Sequence, residues 1–227
     1  MSYWHTFFFG IYPYIALSIF LLGSLVRFER EQYSWKSDSS QVLHAGQLRL
    51  GNILFHVGII SLFLGHLVGL LTPVAVWDAL GVSHATKQLV AMVAGGVMGT
   101  VCLVGLLILL KRRLTNPRIR AVTSTGDKVL LLWILLTLLL GLTTIIVSAG
   151  HRDGHEMVLL MRWCQHILTF QGDAASLIAH VSPVFKLHMF MGMTLFIIFP
   201  FTRLVHVWSG FASVMYLGRA WQLVRQR

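Results

Sequence analysis

Four of the eleven histidines stand where an ionisable side chain is expensive. His56, His66 and His188 lie inside long apolar runs and His206 at the end of one, and the cost of burying such groups in hydrocarbon marks them as functional candidates. His56 and His66 are ten residues apart in one run, and His188 and His206 are eighteen apart in another. At ~100° per helical residue, eighteen residues return to the same face and ten leave the rings ~80° apart on one flank. Each helix can therefore turn both imidazoles toward a shared interior. Two such helices running in opposite directions pair His56 with His206 and His66 with His188, which gives two bis-histidine sites stacked across a membrane. The rises differ, ~15 Å against ~27 Å, and the pairing requires tilt of the second helix and a bend at Pro200 between its two histidines.

The chemistry of such sites follows from the residues that are missing. No carboxylate lies in an apolar run, whereas zinc, manganese and iron–carboxylate centres draw on further protein ligands. There is no CxxCH for covalent haem, and two cysteines cannot hold a four-thiolate iron–sulfur cluster. Cys102 sits in an apolar run and Cys164 in a connection, so they are expected to be unpaired. Two histidines per site on facing helices suit axial ligation of a b haem, whose porphyrin supplies four further nitrogens. The missing carboxylates also argue against a proton-relay pump. The other seven histidines (His5, His44, His84, His151, His155, His166 and His180) fall at ends or in connections and read as solvated or interfacial.

The elements that must position these rings are apolar. The chain of 227 residues is 56% hydrophobic and 11% charged, too apolar for one soluble core. Five runs are long enough to span a bilayer: Trp4–Val26, Gly51–Leu71, Gln88–Leu110, Val129–Ser148 and Val184–Val207. The first lacks a basic n-region and a small-residue cleavage site and contains Pro13, so it reads as a retained span. The expected fold is all-α, a membrane bundle of five transmembrane helices over residues 1–208, followed by a basic, aromatic tail over 209–227. The net charge of +10 could suggest nucleic acid, but the cations flank apolar runs as topology signals and contacts to anionic membrane lipid do. Of eighteen Lys and Arg residues, all but Lys87, Arg152, Arg162 and Lys186 fall on one side. The N-terminus is thus expected outside and the C-terminus in the cytoplasm. The long fourth connection contains an amphipathic stretch, Glu156–Phe170, which reads either as a helix on the outer surface or as an ordered loop.

Glycines along the spans (Gly51, Gly58, Gly65, Gly69, Gly95, Gly96, Gly99 and Gly192) would admit a large planar cofactor, or equally close helix packing. Arg113, with Arg27 or Arg203 behind it, is the candidate partner for a haem propionate on the inner side, or a plain topology cation.

The segments FFFGIYPYIA, QYSWKSDSSQ, NILFHVGIISLFLGHLVGLLTP, KQLVAMVAGG, LLKRRLTNPRIRA, FKLHMFMGMTLFIIFPFTRLVHVWS and YLGRAWQLVRQR resemble the gamma subunit of respiratory nitrate reductase along nearly the whole chain. The resemblance implies two non-covalent b haems, an inner one held by His56 and His206 and an outer one held by His66 and His188. It implies quinol oxidation beside the outer haem, with Lys87, Gly65 and His66 at the quinol site. Electrons would pass to iron–sulfur clusters of a cytoplasmic beta subunit and on to a molybdenum-containing alpha subunit that reduces nitrate to nitrite. The tail would grip those subunits, or lie on anionic lipid. The location implied is a bacterial or archaeal cell membrane. A di-haem cytochrome serving another acceptor and a non-redox anchor or transporter are the competing readings.

Overall fold

The computed structural model describes residues 2–30 and 45–208. Most of those residues are helical, with no strand among them. Five helical segments are long and apolar enough to cross a membrane: Tyr3–Arg30, Leu48–Leu71, His84–Thr115, Thr125–Ala149 and Pro183–Phe201.

The first span opens with α1 (Tyr3–Thr6), passes through a π-helical turn at Phe7–Ile11 and continues as α2 (Tyr12–Arg30). Pro13 explains the irregularity: it has no N–H to give the carbonyl four residues back and its ring crowds that carbonyl. That carbonyl belongs to Phe9, and it accepts the indole N–H of Trp163 at 2.9 Å instead. The second span is α3 (Ala45–Leu71), followed by the short α4 (Val74–Ala79). The third is α5 (His84–Thr115), capped at its start by Ser83, whose hydroxyl accepts from the Thr86 N–H at 3.1 Å. After α6 (Pro117–Val122), with Pro117 in its first turn, α7 (Thr125–Ala149) forms the fourth span. Here α8 (His155–Leu168) and α9 (Ala174–Leu177) intervene before α10 (Pro183–Ile198).

The spans pack in the order α3, α5, α7, α10, α2. Backbone meets backbone where α3 crosses α5. A Cβ at Gly58 would stand 2.5 Å from Cys102 Cβ, and one at Gly105 would collide with the Phe55 amide. Gly51 and Gly99 likewise face side chains, of Ile108 and Leu109 and of Leu142. These four glycines serve helix packing. Gly65, Gly69 and Gly192 differ, since a Cβ there would meet nothing within 4 Å. A core of Cys102, Leu106, Leu130, Ile134 and Leu138 joins α5 to α7, and both cysteines are free. Many leucines and valines on the outer helix faces are exposed, as apolar side chains facing lipid are.

Three expectations change in detail. The fifth span does not run as one helix from Val184 to Val207: it stops at Ile198 and continues as two 3₁₀ turns, Phe199–Phe201 and Arg203–Val205, separated by an extended Thr202. Pro200 cannot donate to an α-helical ladder, and Arg27 holds the break by donating to the Pro200 and Thr202 carbonyls at 2.6 and 2.9 Å. The amphipathic stretch is a helix, His155–Leu168, but it is set into the bundle end rather than lying on it. Val158, Met161, Trp163 and Ile167 are buried. Lys87 is not outside the third span; it lies in the first turn of α5 and is 7% exposed. The tail over 209–227 and His44 lie outside the described residues.

Candidate functional site

Helices α3 and α10 run in opposite directions, and their histidines meet in two pairs. The ring centres of His56 and His206 are 6.2 Å apart with planes at 71°, and those of His66 and His188 are 6.1 Å apart at 43°. The break at Pro200 removes the mismatch in axial rise, because His206 is carried by the turn that follows it rather than by a continued helix.

Each ring is also oriented. His56 Nδ1 bonds the Asn52 carbonyl at 2.9 Å, His66 Nδ1 the Leu62 carbonyl at 2.7 Å, His188 Nδ1 the Thr137 carbonyl at 3.0 Å and His206 Nδ1 the Arg203 carbonyl at 2.6 Å. A carbonyl oxygen can only accept, so in all four rings Nδ1 carries a proton, which in the neutral imidazole leaves the lone pair at Nε2. Metal-ligating histidines are held in this way. Two imidazoles on opposite sides of one metal, at about 2.0 Å and with ~1.1 Å from nitrogen to ring centre, would have centres ~6.2 Å apart. Both pairs fit that span. Among the described residues no cluster of three or more His, Cys, Asp or Glu could hold a metal, so each pair offers two donors. That donor set suits a metal whose remaining ligands come from a macrocycle. Gly65 and Gly192, where an added Cβ would meet nothing within 4 Å, stand beside His66 and one turn after His188.

At the end of the bundle that holds this pair, polar side chains satisfy the last carbonyls of α3, which no helical N–H can reach. Lys87 Nζ donates to the Gly69 carbonyl at 3.0 Å, contacts Met161 Sδ at 2.6 Å and lies 4.6 Å from the centre of the Trp77 ring. Gln165 donates to the Leu70 and Thr72 carbonyls. Gln88 donates to the Ser148 and His151 carbonyls, closing α7, and accepts from the Gly154 N–H, opening α8. Gln88 and Gln165 escaped the sequence reading. Isolated amides beside apolar runs were their only signal. His5 and His166, read as solvated or interfacial, are partly exposed and bond the Ala175 carbonyl and the Asp173 carboxylate.

At the opposite end Arg113 and Arg203 share the Asp127 carboxylate, at 3.4 and 3.8 Å. Asp127 lies in the first turn of α7 and Glu29 in the last turn of α2, so two carboxylates do belong to spanning helices, each at a margin. Arg203 is also the residue whose carbonyl orients His206. The candidate Arg113 therefore stands in a charged group linked to a pair histidine through one residue.

Comparison with known proteins agrees over the full length. The family profile described as "Nitrate reductase gamma subunit" matches residues 5–227. The chain is 46% identical over 227 residues to respiratory nitrate reductase 1 gamma chain of Escherichia coli (strain K12), covering 100% of both. It is 36% identical over 218 residues to the nitrate reductase gamma chain of Bacillus subtilis (strain 168), covering 96% of each. It is 30% identical to the nitrate reductase-like protein NarX of Mycobacterium tuberculosis (strain CDC 1551 / Oshkosh), matching 97% of this chain but 34% of that longer protein. With five apolar spans and relatives of this kind, the chain is a multi-pass bacterial membrane protein, and it belongs to the nitrate reductase gamma subunit family.

Proposed function

We propose that this chain is the quinol-oxidising, electron-transferring subunit of a nitrate-reducing complex, with two b haems held by His56 with His206 and by His66 with His188. The observation that carries the reading is the common state of the four imidazoles. All are fixed through Nδ1, and they stand in pairs at a spacing that suits two ligands on opposite sides of a shared metal. When bound, the haems supply one-electron couples at two depths between quinol and the electron acceptor.

Gly65 and Lys87 mark the side on which quinol would approach. Gly65 leaves room beside His66, and the Lys87 ammonium rests on Gly69, three residues further along α3. A fixed cation there favours the negative charge that appears as a quinol hydroxyl loses its proton. The positive-inside rule puts this end outside, so both protons leave outward. The electrons are destined for iron–sulfur clusters of a beta subunit and a molybdenum-containing alpha subunit, where nitrate becomes nitrite. At the inner end Arg113 and Arg203 offer guanidinium donors for propionate carboxylates, with Asp127 holding them side by side. The tail over 209–227 would contact the partner subunits.

The test is anaerobic addition of a quinol to the purified full chain, followed by absorption. Appearance of a b-haem α band at a rate that saturates with quinol supports the proposal. A chain whose haem is reduced by dithionite but not by quinol would remove the quinol-oxidising role.

A further inference from the structure

Three of the paired histidines are oriented by their own helix or turn, His56 by Asn52, His66 by Leu62 and His206 by Arg203. His188 is the exception. Its Nδ1 proton goes to Thr137, 51 residues away on α7, a helix that contributes no histidine to either pair. One turn further along α7 stands Gly141, where a Cβ would lie 2.9 Å from His188 Cε1 and 3.5 Å from both Nδ1 and Nε2. The imidazole thus rests on bare helix backbone, and the carbonyl beside it sets its rotation. A methyl group at Gly141 would have to push the ring away. The ring cannot yield freely, being tied to the Thr137 carbonyl on one side and facing His66 on the other.

We propose that α7 is the positioning element of the His66/His188 site, with Gly141 and the Thr137 carbonyl forming a seat that fixes the plane of the His188 ring. This rests on the haem reading above. Gly141 touches no reacting atom; it acts through His188.

The test uses the purified full chain and two variants. Gly141→Ala intrudes on His188. Gly99→Ala intrudes on α7 from its other neighbour, α5, with a Cβ 2.7 Å from Leu142 Cδ2 and no contact with a histidine. The low-spin ferric resonance of a bis-imidazole haem depends on the angle between the two ring planes, 43° for this pair. The outer resonance is assigned by its loss in His66→Ala. Gly141→Ala should shift that resonance and weaken retention of the outer haem about 10-fold, the usual effect of losing a ligand's orienting partner. The inner resonance should stay unchanged, and Gly99→Ala should leave both as they are. An unshifted outer resonance in Gly141→Ala, or an equal shift in Gly99→Ala, overturns the proposal. If Gly141→Ala does not accumulate, Gly141→Ala/His188→Ala should accumulate as well as His188→Ala alone. Failure of the double variant where the single one accumulates would make Gly141 a general packing residue and overturn the proposal. A wild-type chain without b haem overturns the haem reading itself, a separate result.

Discussion

The Lys87 ammonium donates to the Gly69 carbonyl at 3.0 Å, which ties the first turn of α5 to α3 three residues beyond His66. The same group contacts Met161 and the Trp77 ring, so a single cation gathers three helices around the end of the bundle where quinol would bind. Lys87→Met keeps the aliphatic length and removes the charge. Both haems should remain, with an unchanged dithionite-reduced spectrum, while reduction by limiting quinol slows at least ~10-fold, a modest share of what fixed donors contribute in enzymes. Stopped-flow reduction at several quinol concentrations checks this, and an unchanged rate would leave Lys87 a structural clamp.

Gly58 and Gly65 lie on the same helix seven residues apart but have opposite surroundings. Gly58→Val drives branched carbon into Cys102 backbone atoms 2.6 Å from the Cβ position and should separate α3 from α5. The cost expected of overpacking is about 1–3 kcal/mol. Gly65→Ala adds a methyl group that meets no protein atom within 4 Å, so it costs no packing of α3 against α5 and should lower thermal stability far less. Melting temperatures in detergent distinguish the two, and equal losses would contradict the packing described.

Asp127 balances two guanidinium groups at the His56/His206 end. Asp127→Asn removes the carboxylate charge that Arg113 and Arg203 share, and Arg203 is the residue that orients His206. The inner haem signal should change while the outer one does not. Redox titration resolved by haem measures this, and a change confined to the outer haem would refute it.

Trp163 and Pro13 form a compensating pair across 150 residues of chain. Trp163→Phe strips the Phe9 carbonyl of its donor, a loss of about 1–3 kcal/mol for a buried acceptor left unpaired. With Pro13→Ala in the background, a backbone N–H becomes available to that carbonyl and the loss should shrink. A double-mutant cycle on thermal unfolding tests it, and strict additivity would show that the two are uncoupled.

The histidine pairing was legible because it depends on two quantities that sequence carries directly, apolar run length and angular spacing. The five spans were legible for the same reason. Lys87 was not legible as a buried group, since its burial is supplied by Gly69, Trp77 and Met161 from elsewhere in the chain. Pro200 pointed to a bend, but the full break depends on Arg27 reaching from another helix. The early start of α7 had a readable sign, Ser124 with Asp127 three residues on, the pattern of a helix cap. It lies ahead of the apolar run, outside the stretch that hydropathy marks. No local pattern separates Gly58, pressed on Cys102, from Gly65, facing open space.

The claim that matters most is that the four histidines hold two haems, one per pair. The direct measurement is the haem-to-protein ratio of the purified chain, by pyridine haemochrome and amino-acid analysis, in wild type, His66→Ala and His206→Ala. About two b haems per chain are expected in wild type, and each variant should lose one, with a different low-spin resonance missing from each. Loss of the same resonance in both variants, or wild-type protein with no b haem, would contradict it.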